Sequence, residues 1–178
     1  MFQKKRRKNR EAFRSSPYFV LCFLFESSFV DLVPADIFHQ ENVYVPRFLF
    51  VLIAFITVYF NKPMGLVYGG IFGLLYDIAY TEVLGVYFFL YTLMAYLISW
   101  ASRILQTNIV VISFLSLIGI FALEFCVYGV NLAIGTTTIT VERFLQFRIL
   151  PTILLNSIFI LVFAYPFKKL LGKLHIEE

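Results

Sequence analysis

The chain has 178 residues, of which 60% are hydrophobic and only 15% charged, and its mean hydropathy is +0.82. A soluble domain carries about 45–50% apolar and roughly 25% charged residues, so this composition excludes an ordinary soluble globular protein and favours a chain embedded in lipid. The formal net charge is +4, and the basic residues are concentrated near the start of the chain.

The first 16 residues form a basic tail. Seven of the fifteen lysines and arginines lie within the first 14 residues, directly before an apolar segment. Basic residues beside a membrane span favour the cytoplasmic side and attract anionic lipids. We therefore predict a cytoplasmic tail over residues 1–16 that contacts anionic lipid. We expect no nucleic-acid partner, because no recognition fold accompanies the tail.

Six apolar segments follow, and each is close to the 17–25 residues or so that cross a bilayer. They lie at 17–33, 44–60, 64–81, 84–101, 109–131 and 146–165. Short breaks that are polar or contain Pro and Gly separate them. The sequence therefore predicts an all-α integral membrane protein with a six-helix transmembrane domain over residues 17–165.

The distribution of basic residues predicts the orientation of these spans. With the N-terminus inside, twelve of the fifteen lysines and arginines lie on the inner side. Arg47, Arg143 and Arg148 remain on the outer side. Both ends of the chain are accordingly predicted to be cytoplasmic.

Residues 166–178 form the last segment, which is amphipathic. Phe167, Leu170, Leu171 and Leu174 follow i, i+3, i+4, i+7 spacing, with lysines opposite them. This spacing predicts a short helix that lies on the inner membrane surface, followed by a tail.

Ionisable residues within the predicted spans are candidate functional residues, because each costs about 2.5–3.5 kcal/mol at the bilayer centre. The carboxylates and the arginines at similar depth are Glu26, Asp31, Asp77, Glu124, Arg47 and Arg148. We interpret them as an ion-pair and hydrogen-bond network that locks the bundle, with Glu124 on a helix face that meets an outer arginine. A proton or substrate site and a partner-facing patch are the alternatives.

A glycine stripe marks the third span. Gly65, Gly69, Gly73 and Asp77 are spaced four residues apart, so one side of the helix lacks side chains for three turns before it presents a carboxylate. Stripes of small residues let another helix approach closely. The partner is either a helix of the same chain or a helix of another molecule, as in a homodimer.

No motif in the sequence indicates catalysis. Metalloprotease, nucleophile-elbow, phosphate-loop and dinucleotide motifs are all absent. Nothing pairs a nucleophile with a base, and the two histidines are isolated. We predict no enzyme activity, no metal and no cofactor.

Five short motifs carry a family resemblance. In chain order they are Phe25-Glu26-Ser27, the segment 31–34, Val45-Pro46-Arg47-Phe48, Gly73-Leu74-Leu75-Tyr76-Asp77 and Gly85-Val86-Tyr87. In this order and spacing they resemble the rod-shape-determining MreD family, particularly its Gram-positive members. The resemblance is best over residues 17–101, and the second half agrees in length and number of spans.

The resemblance implies a non-catalytic scaffold of the bacterial cell-elongation machinery, which builds peptidoglycan and maintains rod shape at the plasma membrane. The implied partners are the bitopic protein MreC, MreB filaments and the enzymes that polymerise and cross-link peptidoglycan. The implied fold is similar to the six-helix substrate-binding subunits of energy-coupling-factor vitamin transporters. Glu26, Arg47 and Asp77 match family motif positions, which implies structural or interaction roles for them.

The same fold analogy supplies the main alternative function, a substrate-binding subunit of a small-molecule transporter. Such a protein needs a polar pocket matched to a ligand, and similarity of fold alone does not exclude one. An intramembrane enzyme is a third interpretation, which only the carboxylates favour.

Overall fold

A computed structural model describes residues 20–28, 42–81, 83–105 and 108–176, with side chains described as far as residue 171. Helix α1 covers residues 20–28. The elements that follow are α2 (Phe48–Tyr59), α3 (Lys62–Tyr80), α4 (Val86–Ile104), α5 (Ile109–Ala133), the single turn α6 (Val141–Phe144), a π-helical turn (Leu145–Ile149) and α7 (Leu150–Ile176). The described part of the chain is thus all-helical, with a helix in each of the six predicted segments.

Two described helices are long and apolar enough to cross a membrane. They are α5 and the continuous helical stretch Val141–Leu171. Helix α2 is also apolar but has only 12 residues. At about 1.5 Å per residue, it is shorter than the hydrocarbon core of a bilayer, which is about 30 Å thick.

Helix α2 is the central element of the bundle. Its residues 48–57 are all buried, and it contacts α3, α4, α5 and α7. A helix that is apolar on every side is suited to such a position. The sequence predicts that this span begins near residue 44, but the helix begins at Phe48. The preceding residues 42–47 are not helical, and the backbone N–H groups of Val45 and Arg47 bond to side chains of α7.

The glycine stripe of α3 packs within the chain. A Cβ atom added at Gly73 would lie 2.5 Å from the carbonyl oxygen of Tyr87 on α4, and one added at Gly69 would lie 3.1 Å from that of Tyr91. At Gly65 the added atom would collide with Thr57 of α2. The stripe therefore lies at contacts between helices of one molecule, where only glycine permits such close approach.

The C-terminal segment differs from the expected separate surface helix. Helix α7 continues through Pro166 to Ile176 without a break. The ring of Phe167 lies 5.9 Å from that of Phe55 on α2, and Leu171 is buried. The apolar face of the segment therefore packs in part on the bundle itself, which reduces what it can offer to a membrane surface.

Candidate functional site: a buried arginine–glutamate cluster

Arg47, directly before α2, is at the centre of a buried polar cluster. Its side chain is 1% exposed, and its Nε donates a 2.7 Å hydrogen bond to Oε1 of Glu124 on α5, which is 0% exposed. The guanidinium Nη2 contacts the same carboxylate oxygen. A charge in such a position is stable only when it is paired and hydrogen-bonded.

Tyrosines enclose the remaining faces of this guanidinium. Nη2 of Arg47 donates to the Tyr87 hydroxyl at 2.9 Å, and Nη1 lies 3.5 Å from the Tyr91 hydroxyl. The guanidinium carbon lies 4.9 Å from the ring centroids of both Tyr76 and Tyr87. Hydroxyl and cation–π contacts thus replace the water that the cation loses on burial.

Arg148 completes the cluster from the other side of Glu124. Its Nε lies 3.1 Å from Oε2 of Glu124, and its side chain is 35% exposed. Arg148 belongs to the π-helical turn that leads into α7, and such turns often mark functional positions. One carboxylate therefore bridges two arginines and joins α5 to the start of α2 and to the start of α7.

Two polar side chains of α7 bond to the non-helical segment before α2. Asn156 accepts a 2.8 Å bond from the backbone N–H of Arg47 and donates a 3.0 Å bond to the carbonyl of Val45. Thr152 accepts from the N–H of Val45 at 3.2 Å. These bonds satisfy backbone groups that a helix would otherwise pair internally, so they hold Arg47 in position for Glu124.

Glu26 and Asp77 each accept backbone N–H groups at a helix N-terminus. Oε2 of Glu26 accepts the backbone N–H of Leu49 in the first turn of α2 at 3.0 Å. The buried Asp77 carboxylate accepts the N–H groups of Gly85, Tyr87 and Phe88 at 2.9–3.0 Å. These N–H groups lack partners within a helix and favour a negative charge.

The predicted network therefore consists of three separate sets of contacts, one for each of its three described carboxylates. Asp77 caps α4, Glu26 caps α2, and among the described residues Glu124 forms the ion pairs with Arg47 and Arg148. Asp77 takes part through hydrogen bonds, because the turn between α3 and α4 brings three N–H groups to its carboxylate. Asp31 lies outside the described residues.

The cluster can hold helices together but offers no reactive group. Both Glu124 oxygens accept bonds from guanidinium groups, so this carboxylate is not available as a base. Within the described residues, no group of three or more His, Cys, Asp or Glu side chains is placed to bind a metal. The geometry serves to fix α2, α5 and α7 relative to one another.

Sequence reasoning did not select several members of the site. They are Tyr76, Tyr87, Tyr91, Thr152 and Asn156. The last two are polar residues at i, i+4 spacing within an otherwise apolar span, a pattern that indicates an inward-facing polar stripe. Tyr76 and Tyr87 lie within two of the five family motifs, which is the signal that could have found them, whereas Tyr91 has no comparable signal among the many aromatic residues of this chain.

Comparison with known proteins identifies the family. The model of the family described as rod shape-determining protein MreD matches residues 13–174. The chain is 38% identical to the rod shape-determining protein MreD of Bacillus subtilis (strain 168), over 84% of this chain and 87% of that protein. It is 27% identical to the cell shape-determining protein MreD of Streptococcus pneumoniae (strain ATCC BAA-255 / R6), over 69% and 75% of the two chains. No solved structure matches it significantly. A family match over most of the chain, together with 38% identity to one member, shows that this chain belongs to the rod shape-determining MreD family.

Proposed function

We propose that this protein maintains rod cell shape as a non-catalytic scaffold of the cell-elongation machinery in the bacterial plasma membrane. The observation that carries the proposal is the family match over residues 13–174, with two relatives whose names are shape-determining proteins. The Arg47–Glu124–Arg148 cluster supports a structural role, because its carboxylate is fully engaged by the two arginines.

The proposed membrane architecture has six spans with both ends in the cytoplasm, in a fold similar to the substrate-binding subunits of energy-coupling-factor transporters. Residues 1–16 and 166–178 would be cytoplasmic, and residues 17–165 would form the transmembrane domain. The unequal distribution of basic residues supports this orientation. Helices in all six predicted segments support the number of spans.

Thiol labelling tests this orientation. In a variant without Cys22 and Cys126, a cysteine in place of Thr137 should react with an impermeant reagent added outside intact cells. A cysteine in place of Lys62 should react only after the membrane is opened. Labelling of position 62 from outside would contradict the orientation.

An MreC-like bitopic membrane protein is the proposed principal partner, with MreB-like filaments and peptidoglycan-synthesising enzymes in the same assembly. Anionic lipid around the basic tail would hold the N-terminus at the membrane. The glycine stripe is unsuited to joining two copies, because α2 and α4 already occupy it. A homodimer would therefore have to use another face.

Purification from native membranes tests the scaffold proposal against the transporter alternative. A tagged chain should recover an MreC-like protein in defined proportion, and the recovery should persist after a wash that removes loosely bound protein. Recovery of a tightly bound vitamin-like small molecule without such a partner would favour the transporter function. Neither the family model nor the two relatives is named as a transporter.

A further inference from the structure

Two adjoining cavities open beside Arg148, outside the buried cluster. One has a volume of about 400 Å³ and the other of about 550 Å³, and both are lined by Val127, Asn131 and Arg148. Each volume is within the range of about 300–1,000 Å³ that is usual for small-ligand sites. We refer to the two cavities together as the Arg148 cleft.

The Arg148 cleft is cationic. Arg143 lines the first cavity and is exposed, while Arg148 lines both. Arg148 uses Nε for Glu124, and its two terminal amino groups form no hydrogen bond to another described residue. No described residue that lines either cavity is an Asp or a Glu. The cleft thus presents guanidinium N–H donors, which suit a phosphate or carboxylate.

The remaining lining is largely apolar and leads to the outer surface of the bundle. Phe144 and Ile139 line the first cavity and Ile134 the second. Of these, Ile139 is 52% exposed and Ile134 is 49% exposed. A ligand with one anionic group and an apolar body would match both parts of the cleft.

The position of the cleft along the helices indicates what kind of ligand this is. Asn131 lies two residues before the end of α5, and Arg143 lies two residues after the start of the stretch Val141–Leu171. These are the two described helices that are long and apolar enough to cross a membrane. Helix ends of this kind reach the headgroup level of the bilayer, where lipid phosphates lie.

We propose that the Arg148 cleft binds the phosphate of an anionic phospholipid. Arg148 and Arg143 would pair with the phosphate, Asn131 would offer a side-chain hydrogen bond, and the acyl chains would follow the exposed apolar side chains beside the cleft. The proposed site does not depend on the proposed role in cell shape.

Native mass spectrometry of the full chain, delipidated in detergent, tests the site. The probes are palmitoyl-oleoyl phosphatidylglycerol, the matching phosphatidylcholine and free glycerol 1-phosphate. The variants are Arg143→Gln and Thr137→Trp. The tryptophan at position 137 would fill the first cavity. Arg103→Gln is the control, since Arg103 is an exposed arginine in the last turn of α4. Thermal stability in detergent is measured for every variant, so that loss of binding is separated from loss of folding.

We expect one phosphatidylglycerol molecule to bind saturably and more tightly than phosphatidylcholine. Arg143→Gln removes one basic residue near the phosphate, so the affinity for phosphatidylglycerol should fall about fivefold. Arg103→Gln should leave this affinity unchanged. Thr137→Trp, if folded, should also lower the affinity for phosphatidylglycerol. Arg143→Gln changes only an exposed side chain, so it remains informative even if Thr137→Trp does not fold.

Three results would overturn the proposal. Equal binding of both lipids, unchanged in Arg143→Gln, would mean non-specific lipid around the bundle. Binding of glycerol 1-phosphate as tight as that of phosphatidylglycerol would mean a site for a soluble phosphate ester. Absence of specific phosphatidylglycerol binding to the wild-type chain would by itself refute the site, and loss of the MreC-like partner when Arg143→Gln is purified from native membranes would then mean that the cleft is a protein contact.

Discussion

Replacement of Glu124 by Gln should be among the most damaging conservative changes in this chain. Glutamine has nearly the same shape and keeps one carbonyl oxygen, but it removes the negative charge that Arg47 and Arg148 share. Arg47 is 1% exposed, so it cannot recover the lost interaction from solvent. The variant therefore leaves a buried cation without its counter-ion.

The size of the effect follows from the burial of each partner. Removing one member of a buried ion pair costs about 3–5 kcal/mol. For a chain of this length, each kcal/mol lowers the melting temperature by about 2–4 °C, so Glu124→Gln should melt about 6–20 °C lower. Arg148 is 35% exposed and its head remains hydrated, so Arg148→Gln should cost about 1 kcal/mol or less.

Thermal unfolding of the purified chain in one detergent provides the assay, with Glu142→Gln as the matched control. Glu142 carries the same charge but lies exposed on α6. The expected order of melting temperature is wild type and Glu142→Gln, then Arg148→Gln, then Glu124→Gln. If Glu124→Gln melted with Glu142→Gln, the cluster would contribute nothing to stability and this account of it would be refuted.

Three further substitutions test other contacts by the same melting assay. Asp77→Asn removes the negative charge to which three N–H groups at the α4 N-terminus donate, and it should cost about 1–2 kcal/mol of stability. Stability equal to wild type would mean that the charge of this cap contributes nothing. Gly73→Ala should cost about 1–3 kcal/mol through overpacking, because its Cβ would meet α4 backbone atoms. Gly129→Ala is the control and should be neutral or stabilising, since nothing lies within 4 Å of its added Cβ. Equal effects of the two substitutions would argue against the close α3–α4 contact. Asn156→Leu should lower the free energy of unfolding by about 1–3 kcal/mol, because the Arg47 N–H and the Val45 carbonyl both lose their hydrogen bonds to the Asn156 amide. Wild-type stability would mean that other contacts hold this segment.

The positions of the helices follow largely from the sequence. The apolar segments and their breaks predict a helix in each of six regions, and the described helices lie in those regions. The sequence also predicts that the face of α5 with Glu124 meets an outer arginine, and Arg47 and Arg148 both contact Glu124. These features depend on local pattern, which a single sequence records directly.

Pairing between distant elements could not be predicted in the same way. Arg47 and Glu124 are 77 residues apart. Several carboxylates have similar predicted depths in the membrane, so the sequence does not show which of them pairs with Arg47. The turn between α3 and α4 decides that Asp77 receives N–H groups instead of an arginine. The start of α2 likewise depends on Asn156, more than 100 residues away.

Cell width after depletion of this protein in its rod-shaped host tests the central claim most directly. Depleted cells should widen and become round, and expression of the intact chain should restore the rods. Normal rods after complete depletion, together with a specific defect in vitamin uptake, would contradict the shape-determining role and support the transporter alternative.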